Sequence, residues 1–387
     1  MSVTTGAETM ATYDVIVVGL GGMGSAAVHH LARRGARVLG LEQLGVAHDR
    51  GSSHGRTRVI RQAYYEGPDY VPLLLRAYEL WHALEREAGA SLLTITGALY
   101  MGTPDAPGVV GAELSARTHQ IPYEMLSTHE IRARYPVLRP RPGHVGLFEY
   151  QAGILKPEEC VAAHIALAGR RGADLRFNEE VTSWAADGNR VIVRTSRGIY
   201  EGGHLILTAG PWTGQAVADL ALPLQVERVV MYWFEPRERR EQLATLPIYA
   251  WDVGGINAYG FPYLEGQGVK VAFHQAYQEV ATPRTIRRQV GDDEVERMRV
   301  HLAELVPDAA GPLLAAATCM YTNTPDFHFI IDRHPAHANV ALACGFSGHG
   351  FKFASVVGEV LADLALRGET TLPIGLFALG RFATPAA

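Results

Sequence analysis

Tyr13-Asp14-Val15-Ile16-Val17-Val18-Gly19-Leu20-Gly21-Gly22-Met23-Gly24 is a β-branched apolar run that enters a glycine-rich turn, and its reading decides the fold. Ala26 to Arg34 continues as a helix stopped by Gly35. A second apolar run, Val38-Leu39-Gly40-Leu41, ends on Glu42, 18 residues beyond Gly24. Residues 13–42 therefore read as one compact strand–helix–strand unit. With 41 glycines in the chain, the G-x-G-x-x-G spacing of Gly19, Gly21 and Gly24 means little alone. In this setting it places a pyrophosphate at a helix N-terminus and Glu42 on a ribose diol. A carboxylate there repels a 2′-phosphate and disfavours NADP. FAD and NAD both satisfy the fingerprint.

Working outward, the 387 residues suffice for two or three domains and a large core. The 35 basic residues nearly match the 40 acidic ones and form no basic run, so nucleic acid is not an expected partner. No stretch approaches the roughly 18 to 20 apolar residues of a membrane span, and Met1 to Tyr13 lacks the pattern of a signal peptide; the expectation is a cytoplasmic protein with no membrane partner. Cys160, Cys319 and Cys344 lack the paired spacing of zinc sites, and each reads as a small buried apolar residue. No metal site is expected.

An amphipathic helix is predicted from about Asp69 to Glu87, with Leu74, Tyr78, Trp81 and Leu84 on one stripe, and another over Pro157 to Arg170. Leu175 to Leu207 reads as strands and hairpins punctuated at Asp187-Gly188 and Arg197-Gly198. Leu224 to His274 is β-rich, with turns at Gly254-Gly255 and Gly266-Gln267-Gly268. Val340 to Ala343 is then a strand, Gly345 to Gly350 a glycine loop, and Phe353 to Leu364 a helix ending at Gly368. The fold class is α/β: a Rossmann-like nucleotide domain assembled from 1–90, 151–216 and 319–387, and a sheet-based α+β substrate domain from 91–150 and 217–318.

The Gly345 to Gly350 loop, opening a helix, offers backbone N–H groups to an anionic group or is an unliganded turn. In Val269 to His274 the alternation sets Val269, Val271 and Phe273 on one face and Lys270, Ala272 and His274 on the other, which looks into a cavity or into water. Tyr259, one strand earlier, is a cavity or core residue. Arg56, Arg58 and Arg61 offer guanidinium forks suited to a carboxylate, or solubilise a loop. Gly51-Ser52-Ser53-His54-Gly55 matches a hydrolase nucleophile elbow, but the preceding Val46 to Arg50 is no buried strand. His328, His334 and His337 lack metal-ligand spacing.

Taken together, Tyr13 to Gly24, Ser53 to Arg61, Tyr259-Gly260-Phe261-Pro262, Lys270, His274, Cys319-Met320-Tyr321-Thr322 and Gly345-Phe346-Ser347-Gly348-His349-Gly350-Phe351-Lys352 resemble the monomeric sarcosine oxidase and N-methyltryptophan oxidase family of flavoproteins, over nearly the whole chain. The resemblance implies FAD held by Gly19, Gly21, Gly24, Glu42 and the Gly345, Ser347, Gly348, His349, Gly350 and Lys352 loop, and linked through a thioether to Cys319. It also implies that Lys270 assists reoxidation by oxygen, that Arg58 and Lys352 bind the substrate carboxylate, and that Tyr259 and His274 line the amine site. The implied reaction passes hydride from the carbon beside a neutral amine to the flavin, with imine hydrolysis and hydrogen peroxide as the oxygen product. A small-molecule amine and O2 are the implied partners of a monomer. Ala250 departs from the family in being smaller than usual, and with Trp251 beside it a bulkier amine is expected to fit; N-methyltryptophan, proline- or pipecolate-like rings and specialised metabolites stay open. Phe327 is apolar where relatives tend to be polar, with no consequence drawn. The competing readings are an NAD-dependent dehydrogenase and a flavin-binding protein without catalysis.

Overall fold

The computed structural model describes residues 12–382. Its first sheet is built on the quoted stretch. The strand Thr12–Val18 lies between Val38–Leu41 and Ile199–Leu207, parallel to both. Such a strand is covered on both faces, which is why Val15 to Val18 is an unbroken apolar run. The Ile199–Leu207 strand changes partner along its other edge: its first half pairs with Arg190–Thr195, and Leu205 to Leu207 pair with Val340 to Leu342. That switch carries the chain's C-terminal part into the nucleotide sheet.

The helix Gly22–Arg33 begins four residues before the predicted Ala26, because the glycine turn winds directly into it. Closeness forces the composition. A Cβ on Gly24 would lie 1.8 Å from Gly19 O, and Gly19 has φ +88° with Thr208 O 2.6 Å from its own ideal Cβ. The helix Ala354–Arg367 packs across the first one, where Gly358 leaves no room for a side chain against Ala26.

The second sheet has nine strands and runs through 98–102, 123–127, 145–149 and the strands between Gln225 and Asn323. One face packs Val269, Val271 and Phe273 against Val295, Met298 and Leu302 of the helix Asp292–Leu305. The opposite face, with Ala272, Met231 and Cys319, turns to the first domain. Two expectations are corrected by this sheet. The domain boundary at 318/319 falls inside the strand Leu313–Asn323, which pairs with Gln225–Phe234 along its length, so Cys319 belongs to the second sheet. Trp251 points away from the cavity and stacks on Tyr249 and His301 in the apolar layer. A third, three-stranded sheet joins Arg58–Ile60, which reads as loop in sequence, to Gly153–Leu155 and Leu93–Ile95. Among the described residues, no helix is long and apolar enough to cross a membrane, and no cluster of three His, Cys, Asp or Glu is placed to hold a metal.

Candidate active site

A cavity of about 1020 Å³ runs from the Gly19–Gly22 turn to the face of the second sheet that turns to the first domain. At its nucleotide end the N–H of Gly22 donates to Ser53 Oγ at 3.0 Å, and little but Ser53 stands near an ideal Cβ on Gly21. The start of the Gly22–Arg33 helix thus faces open space, the arrangement that receives a pyrophosphate. Glu42 lines the same end; its carboxylate accepts from Leu20 N at 2.9 Å and Leu44 N at 3.0 Å. Burial opposes its ionisation, but His48 and these N–H groups outweigh that and lower its pKa. Each oxygen keeps acceptor capacity for a ribose hydroxyl. The residues present fit the adenosine and pyrophosphate parts of FAD.

Midway along, Lys270 and Cys319 meet the chain that follows the glycine turn. Lys270 is 2% exposed, and its Nζ donates to Gly55 O and Thr57 O, both at 2.7 Å. The Trp233 and Phe261 rings flank it. Burial and then Arg58 press its pKa far below that of a free lysine. Arg58 Nη2 reaches Cys319 Sγ at 3.6 Å and Ser52 O at 3.1 Å. Burial would raise the Cys319 thiol, yet His54 and Arg58 more than offset it and bring the pKa down to about 7. At Cys160 and Cys344 burial prevails, against Arg381 in the case of Cys344, and pushes both thiols up.

At the far end Arg61 and Lys352 are both buried. Arg61 Nη2 donates to both Glu66 oxygens at 2.6 Å, and its guanidinium lies over the Tyr64 and Tyr65 rings. Its Nη1 is buried with no partner among the described residues. Lys352 Nζ donates to His349 O at 2.6 Å; burial and then the nearby Arg61 charge lower its pKa. Against these cations Glu66 stays ionised: burial opposes it, but Arg61 carries the pKa down to about 2. His274 Nδ1 is 3.4 Å from the Tyr321 hydroxyl, and burial holds its imidazole neutral with a pKa of about 4. Tyr259, also raised by burial, is a neutral phenol at neutral pH.

The cavity brings together Arg58, Lys352, Tyr259, His274, Gly19, Gly21, Glu42, Cys319 and the Gly345 to Gly350 backbone. Lys270 does not line it: its ammonium is held at Gly55 O and Thr57 O, beside the wall residue Phe261. Gly24 is set behind the turn. Side chains of two loop residues are spent on the fold: Ser347 Oγ bonds Thr324 N and Gly345 O, and the His349 ring sits between the Tyr64 hydroxyl and Phe327 O. Gly348, at φ +80°, lets the Tyr321 ring pass 2.3 Å from where a Cβ would be. Two residues named in the sequence as marks of the family resemblance, with no role given, also belong to the site. Ser53 and His54 stand in the stretch set aside as a failed hydrolase elbow; Gly51 to Ser53 line the cavity, and His54 lies beside Cys319 and lowers its pKa. The geometry also separates the arginines. Arg58 faces Cys319, Arg61 sits with Lys352, and Arg56 is exposed over the Trp233 ring.

A dinucleotide cradle opening onto a buried, cation-rich chamber defines a flavin-dependent redox enzyme, and the chain belongs to the FAD dependent oxidoreductase family, whose profile matches residues 14–364. It is 52% identical to a monomeric sarcosine oxidase of Streptomyces avermitilis, over 97% of this chain and 99% of that one. It is 35% identical to an N-methyl-L-tryptophan oxidase of Salmonella dublin, over 96% of this chain and 99% of that one. Among solved structures it is similar to NikD, described as an unusual amino acid oxidase essential for nikkomycin biosynthesis, with a TM-score of 0.83 at 25% identity over 95% of this chain and 97% of that one.

Proposed function

We propose that this chain oxidises a secondary amine, an N-methyl amino acid, with O2 as the acceptor and hydrogen peroxide as a product. The observation that carries this reading is the unpartnered Arg61 Nη1 beside buried Lys352, two cations lining one end of the chamber whose wall also holds Cys319. A buried guanidinium nitrogen without a partner is costly unless an anion completes it, and a substrate carboxylate does so. The carboxylate role expected of Arg58 therefore passes to Arg61, while Lys352 keeps its own. Arg58 instead supports a thioether between Cys319 and FAD by favouring the thiolate. FAD, when bound, supplies the two-electron chemistry, taking hydride from the carbon beside the nitrogen and passing electrons to O2. The protein's part is to orient and to exclude water. Neutral His274 and Tyr259 line the amine site and leave a neutral amine uncharged. Lys270 offers a fixed positive charge to oxygen as it gains electrons.

The side chain of the amine is bounded by a row across the sheet in which Ala250 pairs with Tyr100 on one strand and Tyr259 on the next. A small residue between two tyrosines leaves a slot, and this favours a substrate bulkier than sarcosine, including cyclic amines. The reading is tested by anaerobic titration of the holoprotein with N-methyl and cyclic amino acids. Bleaching of the flavin band by at least one, with peroxide formed in air, is the expected result; no bleaching by any of them refutes it. Acid-precipitated protein that loses its yellow colour refutes the thioether separately.

A further inference from the structure

One peptide group, joining Gly55 to Arg56, separates Lys270 from Glu158. Its C=O accepts from Lys270 Nζ at 2.7 Å. Its N–H, on Arg56, donates to Glu158 at 3.1 Å to Oε1 and 3.2 Å to Oε2, and the N–H of Gly55 donates to the same Oε1 at 2.6 Å. In a trans peptide the C=O and N–H point in opposite directions, so the negative end of this dipole faces the ammonium and the positive end faces the carboxylate. The turn is kept at a cost. Arg56 holds φ +67°, Gly55 holds φ +103°, and a Cβ on Gly55 would lie 2.6 Å from Met231 Sδ.

Glu158 opens the helix Pro157–Arg170, where an acidic residue is ordinary. Its neighbour Glu159 behaves that way, exposed and within 3.6 Å of Lys156 Nζ. Glu158 instead turns to the Gly55-Arg56 peptide. We propose that Glu158 is a positioning residue for Lys270, acting through that peptide to hold the buried ammonium charged and fixed at Gly55 O, beside Thr57 O. This rests on the oxygen role given to Lys270 above. The charged groups facing Lys270 are Arg58 and Arg56, which oppose its charge, and Cys319 and Glu158, which favour it, set against the burial that dominates.

The chain has three lysines, Lys156, Lys270 and Lys352, so protein labelled with 13C at the lysine Cε gives three resonances whose titrations can be followed singly. Glu158→Gln retains a carbonyl to accept both N–H groups and removes only the charge. The expected result is an approximately tenfold loss of Lys270 proton affinity, a midpoint about one pH unit lower, with Lys352 unmoved and Lys270→Met fixing the assignment. An unmoved Lys270 midpoint overturns the proposal. The second arm reoxidises photoreduced holoprotein with O2. Lys270→Met should be slow at every pH, and Glu158→Gln slow only above its lowered midpoint; a Glu158→Gln profile identical to that of the unaltered protein also overturns the proposal. A fast Lys270→Met defeats the oxygen reading alone, and the lysine titration still decides the part played by Glu158.

Discussion

Arg58 Nη2 lies 3.6 Å from Cys319 Sγ. The contact joins the short strand Arg58–Ile60 to a strand of the second sheet, 261 residues further on, and together with His54, the larger influence, it lowers the pKa of one buried cysteine of three. Thiolate is the nucleophilic form, so a thiol titrating at about 7 is half ionised at neutrality. Because Arg58 lowers that pKa, its removal must raise it. Apoprotein from flavin-depleted cells should show one fast-alkylating cysteine with a midpoint near 7, and Arg58→Met should cut its rate at pH 7 by roughly tenfold. Equal rates in both proteins would mean that Arg58 leaves the thiol alone.

Lys270 is expected to act in one half-reaction only. A fixed cation beside developing negative charge contributes about 10²- to 10³-fold, as removal of a preorganised donor does elsewhere. Lys270→Met should slow reoxidation by O2 by that order while anaerobic reduction by the amine changes little. Equal slowing of the two would remove the oxygen role.

The anion site predicts a different split. Arg61→Gln removes the buried unpartnered donor, and a charge-assisted hydrogen bond of about 1.5 to 3 kcal/mol corresponds to a 10- to 150-fold weaker apparent affinity for the amine substrate and for acetate as an inhibitor. Arg58→Met should leave acetate affinity within about threefold. The reverse ranking would return the carboxylate to Arg58.

That distinction marks how far the sequence could be read. The strand–helix–strand unit and the two faces of Val269 to His274 follow from patterns within a few residues, and they match the structure. Arg58 opens a three-residue strand and Arg61 follows its last residue, Ile60, so their side chains part to Cys319 and to Glu66. Neither placement is defined until Arg58–Ile60 pairs with Gly153–Leu155, almost a hundred residues later. The reactivity of Cys319 is equally non-local, since His54 and Arg58 arrive from the first domain. The start of the helix at Gly22 was hidden by the poor helix propensity of glycine, outweighed here by the approach of Gly24 to Gly19.

Ala250 offers a test of the substrate's bulk. Flanked across the sheet by Tyr100 and Tyr259, it is the place where a longer side chain would fill the slot. Ala250→Met should lower kcat/KM for an amine with a ring-sized side chain by about 10- to 100-fold relative to sarcosine, the scale of a few methylenes in a pocket. An unchanged ratio would put the side chain elsewhere in the cavity.

A final expectation concerns stability, not chemistry. His29 and His30 on the first helix and His164 on the Pro157–Arg170 helix form a buried group, with His29 5.3 Å from His164 and 5.4 Å from His30 between ring centroids. His30 Nε2 meets Ser355 O at 3.0 Å, and the Nδ1 atoms of His29 and His30 have no partner among the described residues. Burial lowers all three pKa values, that of His29 from 6.5 to about 4. The folded state therefore keeps them neutral while the unfolded chain takes up protons below its ordinary value. Stability is full above about pH 6.5 and falls as pH drops through the window down to about 4, by about 3 kcal/mol for His29 alone. Denaturant unfolding at pH 7.5, 6.5, 5.5 and 4.5 should show this loss. Glu149, whose carboxyl burial raises to about 7, acts in the opposite direction, so the comparison must be made against His29→Gln. That variant should lose less stability than the unaltered protein between pH 6.5 and 4.5, and parallel curves would show that the histidine group does not titrate with unfolding.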